Sequence, residues 1–166
     1  MLGKIYPVEK EIVVIGATKK RPKKQPKKVP HVKVRVSRGK SYDPNVKTTG
    51  PLKTASLFRQ YLSQYHIEGQ EQFLVMYLTR NNAVIGIYPH SKGGMTSTVA
   101  DIKMISATAL SLAAESVITC HNHPSGNLEP SEADKEMARR ISNSLATHNI
   151  SLLDNMILTK NDYRSY

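Results

Sequence analysis

The sequence predicts an α/β (α+β) sandwich, a β-sheet with flanking helices. Three observations carry that prediction. Short apolar, β-branched runs recur at residues 73–78, 83–88, 116–123 and 152–159, each of strand length and closed by turn residues. Between them lie longer segments whose apolar residues return every three or four positions, as on one face of a helix. These segments alternate along about 110 residues, enough for a single hydrophobic core.

In chain order, Val32-Lys33-Val34-Arg35-Val36 alternates and predicts a short strand. Residues 53–65 predict a helix, with Leu57 and Tyr61 one turn apart. Residues 73–78 and 83–88 predict a hairpin about Arg80-Asn81-Asn82. Thr98, with Asp101 three positions on, predicts the cap of a helix running to about residue 114 and bearing Ile102, Ile105, Ala109 and Leu112. A strand over residues 116–123 follows, broken by Pro124-Ser125-Gly126-Asn127. Ser131 then opens a helix whose stripe is Asp134, Ala138, Ile141 and Leu145, at i, i+4, i+7 and i+11. Residues 152–159 and 163–166 predict two closing strands about the Asn161-Asp162 turn.

The chemistry concentrates between residues 121 and 134. His121 and His123 sit two apart on a predicted strand, so both rings face one side while Cys120 and Asn122 face the other. After seven intervening residues Ser131 begins a helix, with Asp134 in its first turn on the apolar stripe. A lone carboxylate turned toward a core is costly unless it is paired or binds a metal. Two imidazoles and a carboxylate form a ligand set for a zinc-type ion with one position left open, where water can be activated. Ser-x-x-Asp is also an N-capping pattern, and capping by Ser131 is compatible with ligation by Asp134.

Such a centre needs a general base within reach. Glu115 is excluded, because six strand residues before His121 place it roughly 20 Å away. Glu132 leaves the stripe that Asp134 occupies. Glu129, in the loop, and Glu71, at the head of an apolar strand, remain, with Glu68 as a further candidate.

The run His121-Asn122-His123-Pro124-Ser125-Gly126-Asn127, continued by Pro130-Ser131 and Asp134, resembles the signature of the JAB/MPN (JAMM) metalloprotease-type domain, in its bacterial RadC-like branch. Glu71-Gln72-Phe73-Leu74-Val75-Met76-Tyr77-Leu78 resembles that branch's opening strand. Ser91-Lys92-Gly93-Gly94 and Thr98-Val99-Ala100-Asp101 resemble its middle segment, and Leu152-Leu153-Asp154-Asn155 its Leu-Leu-Asp-His, with Asn155 where the branch usually has His. The helix-hairpin-helix region that precedes the domain in full-length RadC proteins is not visible in the sequence. The resemblance runs from about residue 54 to the end. It implies the MPN/JAB (cytidine-deaminase-like) sandwich, a mixed β-sheet with flanking helices, with Zn²⁺ held by His121, His123 and Asp134, Glu71 as general base, and Ser131 hydrogen-bonding the reacting oxygen. It further implies hydrolysis of a peptide or isopeptide bond. The residues alone imply only a metal-activated water.

Charge divides the chain. Residues 1–55 hold 15 Lys+Arg against 3 Asp+Glu, and residues 56–166 hold 9 against 10, so the net charge of +11 is wholly N-terminal. The division suggests a basic, largely extended or disordered segment over residues 1–52 and a folded domain over 53–166. The Lys/Pro run at residues 19–28 cannot bury apolar surface. It suits non-specific contact with nucleic-acid phosphates, although it lacks the aromatics of a base-stacking surface. This supports an alternative function: a RadC-like, DNA-repair-associated or nucleic-acid-binding protein with a structural or vestigial metal site. No apolar run approaches about 18 residues, so no transmembrane helix is expected. The apolar opening at residues 11–16 is too short for a signal-peptide core. One cysteine excludes an intrachain disulfide, and the cytoplasm is the expected compartment.

Overall fold

The computed structural model describes residues 43, 45–62, 67–92 and 100–166, with three helices and five strands in one sheet. They are α1 (Pro51–Leu62), β1 (Gln72–Leu78), β2 (Val84–Lys92), α2 (Ile102–Ser111), β3 (Ser116–Asn122), α3 (Glu132–Ala146), β4 (Ser151–Leu158) and β5 (Tyr163–Ser165). The sheet order is β2-β1-β3-β4-β5. Only β3 and β4 run parallel; every other pair is antiparallel, so the sheet is mixed, as the resemblance implies. The strand expected at residues 32–36 lies outside the described residues, as does Tyr65 of the first expected helix.

The two central strands explain their near-continuous apolar sequences. Every residue of β1 and β3 is buried because helices cover both faces of the sheet. Leu74, Met76 and Leu78 of β1 and Ile118 and Cys120 of β3 pack with Leu57, Phe58, Tyr61 and Leu62 of α1. The alternate residues, Phe73, Val75, Tyr77 and Val117, pack with Ile105 and Ala109 of α2 and Ile141 and Leu145 of α3. Cys120 is therefore a core residue on the side away from the histidines, as strand parity dictates.

Local signals set the joints. Asn82 takes φ 59°, which Asn tolerates, and closes the β1–β2 hairpin. Residues 46–48 run beside that turn, with Lys47 bridging Ala83 and the Val84 amide donating to the Val46 carbonyl. The N-cap of α2 is Asp101, whose carboxylate accepts from the Met104 amide. This corrects the expected cap at Thr98, which lies outside the described residues: Asp101 satisfies an orphan amide itself. The helix also stops at Ser111, before Ala113 turns to φ 49°. Parallel β3 and β4 cannot be joined by a tight turn, and α3 makes the crossover. Its first turn consequently stands beside the C-terminal end of β3.

Candidate metal centre

Strand parity, sheet register and the first turn of α3 converge at this end of the molecule. Phe73 of β1 pairs with His121 of β3. One alternation further, Glu71 comes opposite His123, on the same side of the sheet. The carboxylate of Glu71 and the ring nitrogens of His121 and His123 lie within 4.8 Å of one another. Two strands 50 residues apart thus deliver an acid and two imidazoles to one cup.

The two rings are aimed at a common point, with Nε2 of His121 2.9 Å from Nε2 of His123. His121 is 2 % exposed and stacks against the Phe73 ring. His123 Nδ1 lies 2.7 Å from the Asn127 carbonyl, an acceptor only, so Nδ1 carries the proton and donates it. In a neutral ring this leaves the Nε2 lone pair turned into the cup, the usual orientation of a metal-ligating histidine. Asp134 approaches the rings with different oxygens, Oδ1 at 3.4 Å from His121 Nε2 and Oδ2 at 4.0 Å from His123 Nε2.

The chain around Ser131 explains how Asp134 is held. Ser131 is the N-cap of α3, and its Oγ accepts from the Asp134 amide at 3.1 Å. In return the Ser131 amide and hydroxyl donate to Asp134 Oδ2, at 2.8 and 2.6 Å. This reciprocal capping box fixes the carboxylate before any ligand arrives. Burial opposes the ionisation of Asp134, but hydrogen bonds with His121 and Ser131 outweigh it and hold the carboxyl well below the ordinary carboxylate range. Ile141 and Leu145 are fully buried further along the same stripe, so α3 is anchored by the residues that point Asp134 inward.

This donor set suits zinc. It offers two nitrogen donors and a carboxylate in a half-buried cup, with a second carboxylate alongside. Nitrogens each about 2.0–2.1 Å from one zinc ion at a tetrahedral angle stand roughly 3.3 Å apart, close to the separation of the two Nε2 atoms. Zinc bound by three protein groups keeps an open position.

The other candidate acids are engaged elsewhere. Glu68 pairs with Lys160 at 3.0 Å, Glu129 with Arg164, and Glu132 with Lys135 at 2.6 Å. Glu115 sits at the opposite end of β3, where its amide bonds the Leu78 carbonyl. Of the acids weighed from the sequence as a base, Glu71 is the one that reaches both rings.

Two further rings, one against His121 and one against its neighbour Phe73, carried no sequence signal. Tyr166 stands edge-on to His121, with ring centroids 6.4 Å apart. Burial, reinforced by Asp134, Cys120 and Asp154, pushes its phenol above the ordinary range. Asn155 holds that position: it accepts from Thr119 Oγ1, and its carbonyl accepts from the Tyr166 amide. His90 meets Phe73 edge-on and accepts the Asp101 amide at Nε2, 2.7 Å away. Burial lowers its pKa despite the nearby Asp101.

No helix among the described residues is long and apolar enough to cross a membrane. The chain is similar to a UPF0758 protein of Flavobacterium johnsoniae, at 38% identity over 96 residues, covering 58% of this chain and 42% of that protein. A UPF0758 protein of Shewanella baltica (strain OS185) is 36% identical over 116 residues, covering 69% and 52% respectively. Another, of Shewanella sp. (strain ANA-3), is 34% identical over the same coverage. The chain spans about half the length of the curated relatives it matches. The family model of the RadC-like JAB domain matches residues 48–166, and by this match, on the five-stranded mixed sheet described above, the chain belongs to the RadC-like JAB domain family.

Proposed function

We propose that the chain is a zinc-dependent hydrolase of the metallopeptidase or isopeptidase type, with Glu71 as general base. One observation carries this reading above all. A carboxylate at the head of β1 meets two histidines at the end of β3 within 4.8 Å, although packing alone gives an acid no reason to be there. His121, His123 and Asp134 would hold the ion. Zinc, when bound, supplies Lewis acidity that acidifies water toward neutral pH and polarises a carbonyl. Glu71 would take the proton of the attacking water and deliver it to the leaving amine. Ser131 would turn its hydroxyl from Asp134 to the substrate carbonyl oxygen as charge develops there. Asn127 would keep the His123 ring in the tautomer it now shows.

The test is metal content by mass spectrometry on protein prepared without added metal or a metal-binding tag, followed by a peptide and isopeptide screen. About one zinc per chain and hydrolysis lost in Glu71→Gln would support the reading. A chain that takes up no zinc even when it is supplied would remove it.

The charge division favours a second role alongside the first. The N-terminal 55 residues carry a net +12 and suit non-specific phosphate contact. Salt-sensitive DNA binding lost on deleting residues 1–30, and unaffected by Glu71→Gln, would establish a nucleic-acid-associated protein. Binding that survives the deletion would exclude the basic run as its source. The cytoplasm is the compartment that fits either role.

A further inference from the structure

Asn122 lies between the two histidines in sequence and on the opposite face of the sheet. It is fully buried, and its carboxamide is occupied on both sides. Its Nδ2 donates to the carbonyls of Ile67, at 2.7 Å, and Gln70, at 3.0 Å. Its Oδ1 accepts from the Gln72 amide at 2.9 Å. All three partners are backbone groups of one short segment, and Glu71 lies inside it. The backbone pairing of β1 with β3 runs from Leu78–Ser116 to Phe73–His121 and ends there. Beyond that point the Asn122 side chain continues the attachment, clasping the chain where the ladder has let go.

We propose that Asn122 is the positioning residue that sets Glu71 over the histidine pair. The strand that presents the proposed ligands on one face grips, with its other face, the segment that presents the proposed base. The base and the two histidines are therefore indexed to the same three consecutive residues, 121–123. Asparagine suits the task because it offers two donors and an acceptor on a short stem. Aspartate would set a carboxylate against two carbonyl oxygens, and alanine would release both carbonyls and leave the buried Gln72 amide without its acceptor. The inference rests on the reading of Glu71 as base; the clasp itself is testable without it.

The test combines zinc titration with residue-resolved hydrogen exchange on the full chain and Asn122→Ala. Expected is faster exchange at the Gln72 amide by about tenfold or more, the change that follows from one lost hydrogen bond of ordinary strength. Amides of residues 74–78 and 117–121 should keep wild-type rates, zinc affinity should stay within about threefold, and any hydrolysis should fall as far as in Glu71→Gln. Gln72 exchange at the wild-type rate would overturn the clasp. So would exchange raised equally along β3 with zinc binding lost, because Asn122 would then hold its own strand rather than Glu71. Should Asn122→Ala fail to fold, the wild-type protein still decides. Its Asn122 side-chain amide protons should exchange at least about ten times more slowly than those of exposed Asn127, and equal rates would overturn the proposal. Wild-type protein that binds no zinc but keeps these protected protons would instead remove the hydrolase reading and leave the clasp as a structural fact.

Discussion

Two carboxylates reach the same pair of imidazoles by opposite routes. Asp134 travels with the histidines, eleven residues beyond His123, and is held by its own neighbours through the Ser131 capping box. Glu71 stands just ahead of another strand, 50 residues before His121, and arrives through sheet register and the buried Asn122 carboxamide. The first arm is preassembled within a loop and a helical turn. The second exists only once β1 and β3 have paired in one register. On the proposed reading the division is also chemical, since the local arm holds the ion and the long-range arm moves protons.

Four experiments sharpen or break this contrast. The largest effect should come from Glu71→Gln, with turnover down about 10²- to 10⁴-fold while zinc stoichiometry is unchanged. Loss of metal together with activity would make Glu71 a ligand and erase the distinction between the arms. Asp134→Asn should do the reverse and weaken zinc by at least about 100-fold in a chelator competition, beyond what a merely supporting residue contributes. Ser131→Ala sits between them. It should lower unfolding stability by about 1 kcal/mol through the lost cap and weaken zinc by roughly tenfold, because Asp134 Oδ2 loses a donor. Unfolding curves that superimpose on wild type would show that the cap contributes nothing.

The smallest effect concerns acid. In the metal-free protein Asp134 is held below its ordinary range, so the folded chain binds that proton less readily than the unfolded chain. Its contribution to stability is complete above the ordinary carboxylate value of about 3.9 and is lost as pH falls through the folded value. Acid unfolding followed by circular dichroism should thus be less steep below about pH 4 in Asp134→Asn than in wild type. Equal slopes would mean that the local arm is not preassembled.

The same contrast governs what the sequence reveals. The helices, the strands and the hairpin were legible because periodicity and turn residues are local signals, whereas the mixed sheet followed only from the resemblance, because strand direction is set by long-range pairing. His121, His123, Ser131 and Asp134 were legible for the same reason: strand parity and helical phase place them within one contiguous run. Glu71 was only one of several candidate acids until the family resemblance singled it out, because cross-strand register leaves no mark on either strand alone. Asn122 was readable as facing away but not as a clasp, since its partners are backbone groups that any residue would supply. Tyr166 meets His121 through tertiary packing and had no pattern, while Asn155 was marked only by the resemblance, not as the residue that steadies Tyr166. The cap of α2 was expected one turn early, because Thr98 and Asp101 are both good N-caps and only the Met104 amide distinguishes them.

In β3 the residues alternate strictly between two occupations. A slip of one position in its pairing would turn both imidazoles into the α1 core and swing Cys120 and Asn122 into the cup. No intermediate register offers a partial site. On the proposed reading, chelation by this end of the molecule would work as a gauge of correct assembly: a preparation that took up the ion in full would have its central strands correctly aligned.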